Sequence, residues 1–85
     1  MGFGKCIELL KEGHKLRRKG WNGKGMFIYH VPTNTYNTVT GVAKKHFGEK
    51  VTINEYISIK NVNESVSTWV PSINDVFAED WEIAV

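Results

Sequence analysis

The stretch Lys15-Leu16-Arg17-Arg18-Lys19-Gly20-Trp21-Asn22-Gly23-Lys24-Gly25-Met26-Phe27-Ile28-Tyr29-His30-Val31 decides how the chain folds. Residues 15 to 20 read as a strand, with Leu16 and Arg18 on one face and Lys15, Arg17 and Lys19 on the other. Residues 20 to 25 read as a turn, because Asn-Gly tolerates positive backbone angles and reverses the chain tightly. Residues 26 to 31 supply the apolar partner strand. A basic strand, a glycine turn and an apolar strand together predict an antiparallel hairpin that needs cover on one face.

Upstream, Phe3, Cys6, Ile7 and Leu10 recur at helical spacing, which predicts a short helix over 3–12. Gly13 stops it in a left-handed conformation. A helix this short is marginal alone, so its apolar stripe must pack on a sheet. Downstream, residues 33 to 40 are rich in Thr and Asn and read as a loop or weak strand. Gly41 to Phe47 reads as a helical turn or an insertion. Alternation resumes over 55–61, with Ile57 and Ile59 on one face, and again over 66–70. Pro32 and Pro71 each follow an apolar stretch ending in valine and read as strand terminators. Ser72 caps a short helical turn containing Ile73, Val76 and Phe77, and residues 82 to 84 return as a last strand. The expected fold is a single α+β domain over 1–85, a small antiparallel sheet with one N-terminal helix packed on it and a short helical turn near the C-terminus.

An 85-residue chain buries only about two-thirds of the surface its unfolded form exposes. Thin cores of this kind are commonly reinforced by disulfides, a metal or oligomerisation. Cys6 is the single cysteine, so no internal disulfide forms, and its apolar neighbours predict a buried, inert thiol. His14, His30 and His46 stand sixteen residues apart and make no ligand cluster. Neither metal nor cofactor is expected, and association with further copies remains as the source of extra stability. No apolar run reaches membrane-spanning length, and the opening Met1-Gly2-Phe3-Gly4-Lys5 is unlike a leader. A soluble cytoplasmic protein is the expectation.

The net charge is +2, but its distribution is uneven. Lys11 to Lys24 carries six cations against Glu12, and the last eleven residues carry Asp75, Glu79, Asp80 and Glu82 with no base. The basic stretch either faces an anion or pairs with the acidic tail, the commoner arrangement for a charge run. No nucleophile–base motif, Walker loop or zinc-hydrolase helix occurs, and Gly20, Gly23 and Gly25 lack the spacing of a phosphate-loop fingerprint. Asp75 and Asp80 are better explained as caps and surface charge than as an acid–base pair.

The aromatics are more informative. Three tryptophans are a heavy load for a small core, and any one of them is more often core than ligand contact. Trp81 reads as a core or interface plug. Trp21 differs, because it sits in the turn beside Asn22 and Lys24. An indole beside amides and cations suits a flat phosphorylated ligand, since a base stacked on an aromatic contributes about 1–3 kcal/mol. Trp69 offers a second stacking face, and Met26 or Tyr29 a wall.

Two blocks now become recognisable. The first runs through Phe3-Gly4, Leu9-Leu10-Lys11, Gly13, Lys15, Arg17, Arg18 and Gly20 to Phe27. The second is Trp69-Val70-Pro71-Ser72, Asp75 and Ala78-Glu79-Asp80-Trp81. Together they resemble the type II Thoeris anti-defence family of small phage-encoded proteins, formerly a domain of unknown function. Thr33 to Val62 falls outside the resemblance. What the resemblance implies is a molecular sponge. A TIR-domain protein makes a cyclic ADP-ribose isomer from NAD, and the sponge holds that messenger uncleaved so that the immune effector stays off. The family is described as homo-oligomeric, commonly tetrameric, with pockets between protomers, and some members also hold cyclic oligonucleotides. Carried over to this chain, the ligand-binding residues are Trp21, Asn22, Met26, Trp69, Ser72 and Asp75. Arg18 and Tyr29 join them on chemistry alone. The alternative is a single-stranded nucleic-acid binder, disfavoured by a net charge too low for tracking a phosphate backbone.

Overall fold

Burial of one helical stripe organises the molecule, which we describe from a computed structural model covering residues 1–85. Helix α1 (Phe3–Lys11) buries Cys6 and Leu10 of the periodic stripe and adds Leu9, while Phe3 and Ile7 pack partly buried at the edge of the core. Its chain then turns at Gly13, whose φ of +96° lies in the left-handed region that glycine adopts without strain. The Gly13 and His14 amides donate to the carbonyls of Leu10 and Leu9, closing the helix end. Burial pushes the Cys6 thiol up to about 11, opposed by the nearby N-terminal ammonium, so the sulfur behaves as an apolar filler.

Strands β1 (Leu16–Arg18) and β2 (Phe27–Val31) form the expected hairpin, trimmed at its ends. β3 (Asn34–Asn37), α2 (Gly41–Phe47) and β4 (Lys50–Ile53) follow, then β5 (Tyr56–Lys60), β6 (Val66–Trp69), α3 (Ile73–Phe77) and β7 (Trp81–Ile83). The main sheet has the order β6-β5-β2-β1-β7 and is antiparallel throughout. Leu16, Ile28 and Ile59 lie side by side in register and meet α1, forming the core with Cys6, Leu9, Leu10 and Trp81. The fold is therefore α+β.

In the middle of the chain the weak strand read in 33–40 is β3 and the helical turn read at Gly41 to Phe47 is α2, whereas β4 and its pairing are not in the sequence reading. Residues 34–53 build a separate two-stranded sheet, β3 against β4, with α2 at its tip. Neither strand carries the apolar alternation of a core strand, because neither lies on the core. Thr40 caps α2 by accepting from the Ala43 amide, and the Thr38 hydroxyl donates to the Gly48 carbonyl. These local hydrogen bonds, rather than burial, shape the segment.

The acidic tail closes the fold on the basic strand. β7 pairs with β1 in the register Arg17↔Glu82 and Arg18↔Trp81. Arg17 meets Glu82 at 3.0 Å. Arg18 donates from Nε to Asp80 at 2.8 Å and from Nη1 to Asp75 at 3.0 Å. Asp75 also accepts from the Ser72 amide and hydroxyl, both at 2.9 Å, while its own amide donates to the Ser72 hydroxyl. That reciprocal pair is the capping box of α3. Trp81, 1% exposed, donates its indole N–H to the Asp75 carbonyl at 3.0 Å. Of the six cations of the charge run, the two arginines thus pair with the tail.

These contacts set the acid behaviour. Burial pushes the Asp75 carboxyl up, but the Ser72 amide and hydroxyl and then Arg18 outweigh it and hold it below its ordinary value. Asp80 is held low first by the hydrogen bond from Arg18, against some burial, with help from the Gly20 amide. Because the unfolded chain binds these protons more readily, their stabilisation is complete above the ordinary Asp range and disappears as pH falls through the lowered folded values. Thermal melts from about pH 6 down to about pH 2 should show that loss, and Asp75→Asn should flatten it while lowering stability at neutral pH. Ser72→Ala should cost about 1 kcal/mol, a fall in Tm of about 4–8 °C for a domain this small. Trp81→Ala should cost about 3–5 kcal/mol by urea titration, a large share of the total for any small domain.

Candidate functional site

The turn between β1 and β2 folds back over the hairpin and leaves a cleft of about 440 Å³. Its walls are Arg17, Arg18, Lys19 and Lys24, with Trp21 and Met26 between them and Glu82 at one side. The Trp21 amide donates to the Arg18 carbonyl at 3.2 Å, which sets the start of the turn. Met26 lies across Gly23 so closely that a Cβ there would meet its sulfur at 1.8 Å and Val62 Cγ2 at 2.9 Å. Only glycine lets the thioether occupy that position.

The cations differ in kind. Arg17 and Arg18 are held by Glu82, Asp75 and Asp80, and the two aspartates push the Arg18 guanidinium further up. Both arginines are fixed in place and partly neutralised. Lys19 and Lys24 are exposed and neither is among the residues forming ion pairs. They are the charges left for an anion. The sequence pattern assigns Lys19 to a solvated strand face, whereas the structure puts it at the cleft; its place just before Gly20 was the available signal.

Trp21 is half-buried rather than free in a flexible turn. Its ring packs edge-on against Trp81 at 5.4 Å and against Trp69 at 6.4 Å, geometries that aromatic quadrupoles favour. Phe3 completes the cluster, 5.6 Å from Trp81 and 6.3 Å from Trp69. Trp21 is therefore preset in orientation, and what remains exposed of it lines the basic cleft. Trp69 touches Trp21 but lines a different cleft, an apolar one of about 330 Å³ formed with Ile7, Leu10, Ile57, Val70 and Pro71. The two indoles do not face each other across one cavity of a single protomer.

The remaining sequence-predicted residues divide. Asn22 is exposed in the turn beside the cleft. Ser72 and Asp75 are joined to Arg18 through the capping box, and their polar atoms are occupied within the chain. Tyr29 alternates with the buried Ile28 and so lies on the opposite sheet face, tilted against Phe27 at 6.1 Å. It does not reach the cleft.

The arrangement suits a ligand that is both planar and anionic. Relatives agree in pointing to one family. The profile of the Tad2-like family, described as the Thoeris anti-defense 2-like domain, matches residues 1–84. A curated relative, Thoeris anti-defense 2 of Bacillus phage SP01, is 36% identical over 83 residues, which is 98% of this chain and 93% of that protein. With a match across nearly its whole length, the chain belongs to the Thoeris anti-defense 2-like family.

Proposed function

We propose that the protein acts against Thoeris immunity by binding a cyclic ADP-ribose-type signalling nucleotide and withholding it, uncleaved, from its effector. The observation that carries this reading is the juxtaposition of Trp21 with the unpaired Lys19 and Lys24 in one cleft. A purine stacks on the indole, and the phosphates meet the ammonium groups. Charge-assisted hydrogen bonds of that kind contribute about 1.5–3 kcal/mol each. Family membership supports the anti-defence role, and the name of the phage relative agrees with it.

Capture without turnover is supported by the state of the nearby acids. Asp75, Asp80 and Glu82 are all engaged by arginines, and Asp75 and Asp80 are held below their ordinary values. At neutral pH those two cannot donate a proton to a leaving group, and their oxygens already accept strong hydrogen bonds. The cleft is open on one side in a single protomer. A homo-oligomer, a tetramer in this reading, places a neighbouring copy across that opening and brings the second indole, Trp69, to a shared pocket. Enclosure matters, because nanomolar capture requires about 12 kcal/mol and an open surface loses ligand quickly. The site of action would be the host cytoplasm, and no helix is long and apolar enough to cross a membrane. Cyclic dinucleotides share the same recognition chemistry and belong in the same test.

Calorimetry with cyclic ADP-ribose isomers, cyclic dinucleotides and linear ADP-ribose should find at least one cyclic ligand bound tightly, with a shallow salt dependence. An open single-strand groove would give a steep one. Mass spectrometry after heat denaturation should recover that ligand intact. Trp21→Ala should weaken binding by roughly ten- to a hundredfold, the value of one stack, without changing the melting profile by more than the lost packing. A panel in which nothing binds, or in which a cleaved product is recovered, would remove the proposal.

A further inference from the structure

The two walls of the basic cleft are anchored by different parts of the chain. At the near end of the loop between β1 and β2, the Gly20 amide donates to Asp80 at 3.0 Å and the Trp21 amide to the Arg18 carbonyl at 3.2 Å. The Trp21 ring packs on Trp69 and Trp81. Beyond Trp21 these anchors stop. Residues 22–25 receive one hydrogen bond from another element: Lys60, at the end of β5, donates from Nζ to the Gly25 carbonyl at 3.2 Å. Gly25 has a φ of +78°, which glycine adopts without strain, and a Cβ there would stand 3.4 Å from Lys60 Nζ. Val62, in the turn after β5, approaches the same loop. A Cβ on Gly23 would meet its Cγ2 at 2.9 Å.

The turn between β5 and β6 keeps that lysine in place. The Asn61 amide donates to the Ser65 carbonyl at 2.8 Å, and the Asn61 side chain donates to the hydroxyls of Ser65 and Ser67. Glu64 takes a φ of +69°, in the left-handed region that few residues other than glycine adopt, and its carboxylate meets Lys60 at 2.9 Å. The Lys60 side chain is 17% exposed. Covered and paired in this way, it differs from Lys19 and Lys24, which stand exposed and outside any ion pair. Lys60 does not line the basic cleft, whereas Lys24, Gly25 and Met26 do.

We infer that Lys60 is a positioning residue for the cleft: with Glu64 and Val62 it holds the Lys24–Met26 wall at a fixed span from Trp21, which the acidic tail and the tryptophan cluster hold from the other side. Two independent anchors then fix the two walls, and a planar anion meets its stacking face and its cations at one spacing, with little freedom left to lose on binding. Without the Lys60 bond, the loop pivots at Gly23 and Gly25, and Lys24 is no longer kept beside the indole. The inference rests on the proposed function for what the cleft holds, but the anchoring itself requires no nucleotide.

Amide hydrogen exchange of the nucleotide-free protein reads the anchor directly, because it separates local opening from global unfolding. Lys60→Met keeps most of the side chain's length and removes the donor. It should speed exchange across residues 22–26 about tenfold or more, as the loss of one charge-assisted hydrogen bond requires, while the amides of β2 stay unchanged. Lys60→Arg should restore the protection. Calorimetry with a cyclic ADP-ribose isomer should then show Lys60→Met binding about tenfold more weakly, Lys60→Arg binding like the unaltered protein, and the same salt dependence for each. A lysine that touched phosphate would instead lower the salt slope by about one counterion when removed. Unchanged exchange at 22–26 in Lys60→Met overturns the inference, and so does a lowered salt slope, which would make Lys60 a direct contact. Faster exchange with unchanged affinity also overturns it, by separating the loop from recognition. If no cyclic isomer binds the unaltered protein, the proposed function falls, and the exchange experiment alone decides the anchor.

Discussion

One guanidinium joins the two ends of this chain. Arg18, at the end of β1, reaches Asp75 in α3 and Asp80 before β7, residues 57 and 62 positions away in sequence. The same Asp75 completes the capping box, and its carbonyl accepts the buried indole N–H of Trp81. Trp81 in turn is the largest fully buried side chain and the centre of the aromatic cluster. A thin core with one free cysteine therefore depends on a polar clamp to bring its largest apolar group home. Exposed ion pairs contribute little to stability, but this one is forked, partly buried and shared with a helix cap, so its members act together.

The clamp also sorts the basic charges. A run of cations could have been a uniform attractive surface. Instead the acidic tail takes up the two arginines, whose planar forks suit paired carboxylates, and leaves the lysines as mobile point charges. The cleft at the turn then has rigid walls and flexible arms. Trp21 is oriented by its contacts with Trp69 and Trp81, so little conformational freedom is lost when a ring stacks on it. The residues that stabilise the fold also set the shape of the cleft. A change that loosens the clamp should also blur the geometry of the cleft.

Much of the main sheet was legible because its strands obey a period of two and bury one face. The hairpin, Gly13, the Ser72 cap and the burial of Trp81 all follow from spacing and residue type. In residues 34–53 the weak strand and the helix are legible but β4 and the pairing are not, for a physical reason: β3 and β4 face no core, so no apolar alternation marks them, and Thr38 and Thr40 shape the segment through local hydrogen bonds. The candidate site was partly legible. Trp21, Met26 and Arg18 do meet at one cleft, and the resemblance had singled out Ser72 and Asp75 as well. Their polar atoms turn inward to Arg18, a pairing that depends on contacts across most of the chain. Tyr29 shows the cost of a one-residue step in a strand: its neighbour Ile28 faces the core, so Tyr29 must face away.

Trp69 connects these features. Its ring is held by Phe3, Trp21 and Trp81, yet its open side looks onto the apolar cleft with Val70 and Pro71. Within one protomer it does not line the cleft that Trp21 lines. A residue that lines one surface while touching the wall of another couples the two: whatever packs in the apolar cleft bears on Trp69, and Trp69 bears on Trp21.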